Sequence, residues 1–230
     1  MMRGRDLWAV VPVKEVEHAK RRLERCYSAR FRRELVHAML EDVLRALAAA
    51  PAIAGIVVVS LDRGARAIAS RLGARLIEQG ARDGHTGAVM AAAYLLAKER
   101  RDAMLTLPAD VPCVTNAEIS TLIGMHRAAP AFTIVPSHDG RGSNAIVVSP
   151  PDAVPLAFGD DSFGPHLAAA LRAGIEPTVV AMPGIALDID HPADLDRLAQ
   201  MRGAPLTQSF IAAHRQDAAS EACAVARAER

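Results

Sequence analysis

Short apolar runs alternate along this chain with longer segments in which every third or fourth position is apolar, the pattern of buried strands separated by amphipathic helices. Leu7–Val13 reads as a buried strand, and Lys14–Arg25 as a charged loop leading to a helix. Ser28 is placed to N-cap that helix, which reaches Ala50; Phe31, Leu35, Met39, Val43 and Leu47 recur at four-residue steps along it before Pro51 stops it. The β-branched run Ile53–Ser60 is a second strand. Arg63–Leu72 is a helix closed by Gly73, and Ala74–Glu78 a short third strand. A flexible glycine-rich connection, Gly80–Gly87, leads into a helix over Ala88–Arg100.

The stretch Met104–Pro112 (MLTLPADVP) is a buried strand whose carboxyl end releases Asp110 between two prolines. Thr115 and Glu118 have capping-box spacing for a helix over Asn116–Ala128. Phe132–Pro136 and Asn144–Val148 are two strands joined by the polar SHDGRGS, a pair that interrupts the βα alternation and suits an antiparallel edge. FGDDSFGPH (Phe158–His166) precedes a helix over His166–Ala173. The strand Pro177–Ala181 and the carboxylate strand Ala186–Asp190 follow, and Pro192 opens a last helix to Met201. Strands alternating with helices predict an α/β fold with a mostly parallel central sheet covered on both faces, hence three layers.

The domain is expected to span residues 1–203, and the alanine-rich Ala204–Arg230 to be a weakly ordered tail. With 51% hydrophobic residues in 230, one domain can bury a full core. A net charge of +1 argues against a general nucleic-acid binder. No run is long enough to cross a membrane, and Cys26, Cys113 and Cys223 form no C-x-x-C pair, so a reduced cytoplasmic setting is expected. An apolar face on a late strand is a surface on which a homodimer could form.

Asp110 ends one strand, and Asp188 and Asp190, two residues apart, put both carboxylates on one face of another. Carboxylates brought together this way repel unless a cation lies between them, which points to a hard metal and to phosphate chemistry. Each also has a bland reading: Asp110 as a turn residue capping the helix near Thr115, Asp188 and Asp190 as capping the helix at Pro192. VPVKEVEHAKRRL sets Lys14, Lys20 and Arg22 just after the first strand, either as a solvated basic face or as a hold on nucleotide phosphates. It is not a P-loop. The turns DGRGSNA and FGDDSFGPH can bind anions through backbone N–H groups, and as plain turn and cap need no ligand. His85, His138 and His166 lie in these loops, and each reads as a polar loop residue.

Taken together, VPVK…AKRRL, LPADVP, DGRGSNA, FGDDSFGPH and PGIALDIDHPADL, in this order over about Trp8–Met201, resemble the guanylyltransferases of coenzyme F-420 biosynthesis. That family accepts 2-phospho-L-lactate, phosphoenolpyruvate or 3-phospho-D-glycerate, and works on GTP with magnesium. The resemblance implies a nucleotidyltransferase fold similar to glycosyltransferase-A domains. It implies Asp110, Asp188 and Asp190 as metal-binding and catalytic aspartates, Lys14 and Lys20, with Arg22 beside them, as nucleotide-binding, and Ser143, Gly159 and Ser162 as holding the phosphorylated acid. The chain departs from the family where His85-Thr86 replaces a frequent Leu-Asn pair and where Ser143 replaces a frequent threonine.

On that reading the acceptor's phosphate is already ionised and attacks the α-phosphorus of GTP without a general base. The protein then has only to align two polyanions and neutralise them. A bacterial type of composition favours phosphoenolpyruvate or 3-phosphoglycerate as acceptor. Two rivals are a molybdopterin or sugar 1-phosphate nucleotidyltransferase, which would show a glycine-rich first loop absent here, and a non-catalytic nucleotide-binding protein, which would not need three aspartates.

Overall fold

The computed structural model describes residues 6–14 and 20–214. A seven-stranded sheet, in the order β3-β2-β1-β4-β6-β5-β7, runs through its centre. The strands are β1 Leu7–Pro12, β2 Gly55–Val59, β3 Arg75–Ile77, β4 Ala103–Thr106, β5 Ala131–Pro136, β6 Ser143–Ser149 and β7 Thr178–Val179. All lie parallel except β6, which pairs antiparallel with both β4 and β5. The late strands were expected to add an antiparallel edge; the antiparallel strand is internal instead. The polar turn lets β6 fold back beside β5, and β6's own apolar run, buried on both faces, lets it insert against β4.

Alternate strand residues enter two cores. Ala9 and Val11, Ile56 and Val58, Leu105 and Val147 face helices α1 (Ala29–Ala48), α2 (Arg63–Arg71) and α4 (Asn116–Met125). Val10, Val57, Met104 and Ile146 face α3 (Gly84–Lys98) and α5 (Phe163–Arg172). This is the expected three-layer arrangement, with strands apolar on both faces because both faces are covered. Among the described residues no helix is long and apolar enough to cross a membrane.

In α1, Phe31, Leu35, Met39, Val43 and Leu47 are all buried, and Ser28 Oγ accepts the Phe31 N–H at 3.1 Å. The amino-terminal half of α1 extends past the sheet. There it builds a third core with Leu187, Ile189 and Leu195, the last two flanking the start of α7 (Pro192–Gln200). The Thr115–Glu118 capping box forms, with reciprocal bonds of 3.1 and 3.2 Å. Glu118 Oε1 also accepts the Gly184 N–H at 2.7 Å, tying α6 (Pro183–Ala186) to α4. Any side chain at Gly184 would strike that carboxylate and the Cys113 carbonyl, so glycine is required.

Three expectations are corrected. The stretch Gly84–Gly87 is not loop but the first turn of α3: Gly80 ahead of it and Gly84, its first residue, take positive φ, and Gly87, lacking a Cβ, lets the Asp83 side chain close over it. Ala186–Asp190 is not a strand of the sheet; after α6 the chain runs extended against the Asp110 loop, held by the Ile189 N–H on the Asp110 carbonyl at 3.0 Å. Its burial still alternates, with Leu187 and Ile189 inside and Asp188 and Asp190 facing out together. Residues 205–214, within the expected tail, form a further helix, α8, that buries Thr207 and Ile211. Asp42, buried in α1, holds its start by accepting from the Leu206 and Thr207 N–H groups and the Thr207 hydroxyl at 2.7–3.2 Å. The remainder of that tail lies outside the described residues.

Candidate active site

The sheet's topology gathers four elements at one edge. β1 and β4 end there, and the Val13 N–H bond to the Val59 carbonyl, 2.9 Å, carries the chain on to deliver Lys14. β5 ends there too, and because β6 runs the other way its first residues, Ser143 and Asn144, start at the same edge. A cleft of about 850 Å³ opens over these ends, the place where open α/β sheets bind ligands.

One side of the cleft is built from charge. Lys20, with a positive φ and a side chain only 8% exposed, sets Nζ 2.6 Å from Asp110 Oδ2 and 2.8 Å from Asp190 Oδ1. Arg22 Nη1 supports Asp190 Oδ2 from the solvent side at 3.1 Å. Burial alone would lower the lysine's pKa; the two carboxylates outweigh it and raise it. Burial likewise pushes Asp190 up, but Lys20 and then Arg22 overcome that and hold it below the usual carboxylate range. Asp188 behaves oppositely. Burial raises its pKa, offset in part by the Asn144 amide that donates to Oδ1 at 3.1 Å. The same amide reaches the Ile185 and Ala186 carbonyls, and His138 Nδ1 lies 3.7 Å from Asp188.

The floor of the other side is neutral, with charge only at its rim. His166 is buried in α5, its Nε2 accepting the Ala157 N–H at 3.0 Å and its Nδ1 lying 2.9 Å from Ser143 Oγ. Ser162 Oγ lies 3.3 Å from Ser143 Oγ. Burial, then the neighbouring His85, pushes His166 down to about 4, so its ring is neutral at physiological pH. His85 packs against Phe158 with ring centroids 4.3 Å apart and planes tilted by 32°, and Phe158 meets His166 edge-on at 4.9 Å. Burial brings His85 also to about 4, and its Nε2 is buried with no hydrogen-bond partner among the described residues. Thr86 Oγ1 accepts the Phe158 N–H at 2.9 Å, fastening the FGDDS loop to the start of α3. At the mouth Arg141 chelates Asp161 at 2.6 and 3.1 Å, and the Phe163 N–H bonds the Arg141 carbonyl.

All nine residues singled out in the sequence line this one cleft: Lys14, Lys20 and Arg22; Asp110, Asp188 and Asp190; Ser143, Gly159 and Ser162. The capping alternatives fall away, since α4 is capped by Thr115 and the backbone before α7 by Asp194, which accepts from Asp190 and His191. Lys20 differs from the expected phosphate contact in that its partners here are carboxylates. Asn144, His138 and His166 had no assigned role. Asn144 stands inside the GSNA motif, but its bonds join segments more than forty residues apart. His166 read as a loop residue because the preceding glycines hid the helix start at Phe163.

This strand order, with Asp110, Asp188 and Asp190 facing the Ser143 and Ser162 loops across one cleft, is that of a nucleotidyltransferase of the α/β three-layer type. Solved structures share the fold. A 4-diphosphocytidyl-2C-methyl-D-erythritol synthase superposes with a TM-score of 0.60 at 16% identity, covering 85% of this chain and 98% of that one. Glucosyl-3-phosphoglycerate synthase from Mycobacterium tuberculosis, in complex with Mn²⁺, uridine diphosphate and phosphoglyceric acid, gives 0.55 at 16% identity, with 91% and 77% covered. The chain belongs to the family described as guanylyl transferase CofC like, whose model matches residues 7–220. It is 39% identical over 201 residues to the phosphoenolpyruvate guanylyltransferase of Roseiflexus castenholzii, 86% of this chain and 90% of that one. The enzyme so named from Rubrobacter xylanophilus is 37% identical over 198 residues, with 86% and 96% covered. The 3-phospho-D-glycerate guanylyltransferase of Colwellia psychrerythraea is 31% identical over 201 residues, with 87% and 94% covered.

Proposed function

We propose that this guanylyltransferase moves the GMP group of GTP onto the phosphate of a small phosphorylated carboxylic acid, releasing pyrophosphate, in coenzyme F-420 biosynthesis. Phosphoenolpyruvate is the favoured acceptor and 3-phospho-D-glycerate the next, ahead of 2-phospho-L-lactate; the names of the most similar relatives support that order. The observation that carries the reading is the division of the cleft. Two carboxylates reach one cation position within 2.8 Å, opposite a pocket whose floor is the hydroxyl pair of Ser143 and Ser162 and whose rim carries Asp139, Arg141 and Asp160.

The donors suit a hard divalent ion. Asp110 and Asp190 already share a cation, the Lys20 ammonium, and Asp188 lies beside them. With Lys20 seated there, no group of three acidic, histidine or cysteine residues is arranged around one ion among the described residues. Asp110, Asp188 and Asp190 would hold Mg²⁺, which when bound neutralises charge on the nucleotide's phosphates. Lys20 then passes from carboxylates to triphosphate, where Lys14, exposed at the end of β1, and Arg22 join it. Ser143, Gly159 and Ser162 hold the acid so that an oxygen of its phosphate lies in line with the α-phosphorus. The attacking oxygen forms the new P–O bond, the bond to pyrophosphate breaks, and no proton need be removed. The protein's contribution is alignment and charge neutralisation.

The test is pyrophosphate release from GTP and Mg²⁺ with each of the three acids supplied separately, using Asp110→Asn as blank. Release with one acid, lost in the variant, is expected. GTP binding without release for any acid would defeat the reading.

A further inference from the structure

We propose that His166 is a positioning residue for the acceptor: it fixes the hydroxyl of Ser143 so that one O–H of the Ser143–Ser162 pair points into the cleft and donates to the anionic group of the phosphorylated acid. The inference rests on the acceptor reading above and adds to it a residue that never touches substrate.

The Ala157 N–H can only donate, so His166 Nε2, 3.0 Å away, carries a lone pair. In the neutral ring the proton is therefore on Nδ1, and Nδ1–H donates to Ser143 Oγ at 2.9 Å. The ring has no freedom to reverse these roles, because it is buried and charging it would put a second donor against the Ala157 N–H. Ser143 Oγ is thus committed as an acceptor on its inner side. Between them Ser143 and Ser162 hold two hydroxyl protons, and the single contact at 3.3 Å uses one. The other is left for a partner in the cleft, which both residues line. An anion is the ligand such a donor selects, and a neutral donor holds it without competing for the cation across the cleft.

A histidine suits this place for a second reason. Its two nitrogens are read by different segments, Ala157 before the FGDDS loop and Ser143 at the start of β6. The imidazole therefore sets the distance between the two loops that enclose the acid. The Phe163 N–H bond to the Arg141 carbonyl joins the same loops at their outer end.

The two nitrogens can be separated by substitution. His166→Asn keeps an N–H near the Nδ1 position and loses the acceptor for Ala157; His166→Gln keeps an acceptor near Nε2 and loses the donor to Ser143; His166→Phe loses both. Initial rates with GTP, Mg²⁺ and phosphoenolpyruvate give KM for each substrate. His166→Phe is expected to raise KM for the acid by about 10- to 100-fold, the loss of one hydrogen bond to a charged group, with KM for GTP changed less than about twofold. His166→Asn should recover most of that and His166→Gln little. In a Ser143→Ala background the His166→Phe change should add less than about threefold. If His166→Phe does not fold, the Asn and Gln variants carry the comparison. Recovery by Gln and not Asn would show that the histidine only holds the Ala157 loop and would overturn the inference. Unchanged acid KM in all three variants of a working enzyme would overturn it while leaving the acceptor reading intact. No pyrophosphate release by the wild type with any of the three acids would remove the acceptor reading and this inference together.

Discussion

The two walls of the cleft are built by opposite means. The wall made by Asp110, Asp190, Lys20 and Arg22 uses ionised groups in contact, partly open to solvent. The wall made by Ser143, Ser162 and His166 uses neutral groups at 8% exposure or less. On the proposed assignment the difference follows from what each wall binds. A triphosphate with its cation carries charge that only charge can balance, whereas a small acid seated next to it must be fixed in direction without displacing that cation. Charge set here gives strength at long range; neutral donors set here give orientation.

The largest effect should come from the charged wall. Asp110→Asn keeps the shape of the side chain but removes one of the two carboxylates that meet at Lys20, so cation and triphosphate lose their common anchor. Turnover with saturating GTP and Mg²⁺ should fall by roughly 10²- to 10³-fold, the cost of deleting one preorganised electrostatic contact to the reacting group. Asp188→Asn should fall similarly. Near wild-type turnover in both variants would mean that the charged wall does not serve the phosphates. Ser143→Ala, by contrast, should act on KM for the acid and leave the saturated rate within about tenfold.

A second contrast lies in pH. His166 has a folded pKa near 4 against an ordinary value near 6.5. Its contribution to stability is therefore fully present above about pH 6.5 and is lost as pH falls towards 4, because the unfolded chain takes up a proton the folded one refuses. The loss by pH 5 is roughly 2 kcal/mol for this residue. The partly exposed His85 adds a smaller loss of the same sign. Asp190 is depressed below the carboxylate range, so its contribution persists down to acid pH and is lost only below that window. Urea unfolding at pH 7 and pH 5 should thus show a decrease in wild type that His166→Gln reduces. An undiminished decrease in the variant would place the proton elsewhere.

The charged wall was readable from sequence because each of its parts leaves a local mark. An apolar run that ends in an aspartate, or two aspartates one residue apart around a buried isoleucine, reveals its direction by alternation alone, and Asp188 and Asp190 do face out together although no sheet strand holds them. The neutral wall leaves little trace. Ser143 and Ser162 came from motifs, but nothing near His166 in the chain says that its ring bonds residues 9 and 23 positions away. Glycines misled in the same region: in DGHTG and SFGPH they suggested loops, where the chain forms the first turns of α3 and α5, and only in α3 does the turn require them. Asp42 shows the same limit in the scaffold. It looks like one more surface charge on α1, and only the packed chain brings residues 206 and 207 to it.

The smallest effect tests how far the contrast extends outward. Arg141 and Asp161 bridge the two loops of the neutral wall with charge, yet their side chains are 60% and 71% exposed. Water screens such a pair, and its worth is of order 0–1 kcal/mol. The Phe163 N–H to Arg141 carbonyl bond joins the same loops through the backbone and survives any side-chain change. Arg141→Ala should therefore shift the unfolding midpoint little and raise KM for the acid by no more than about threefold, an effect that shrinks further in added salt. A tenfold rise that vanished at high salt would show instead that Arg141 leaves Asp161 to meet the incoming acid. The neutral wall would then be neutral only at its floor, with a charge at its mouth to draw the anion in.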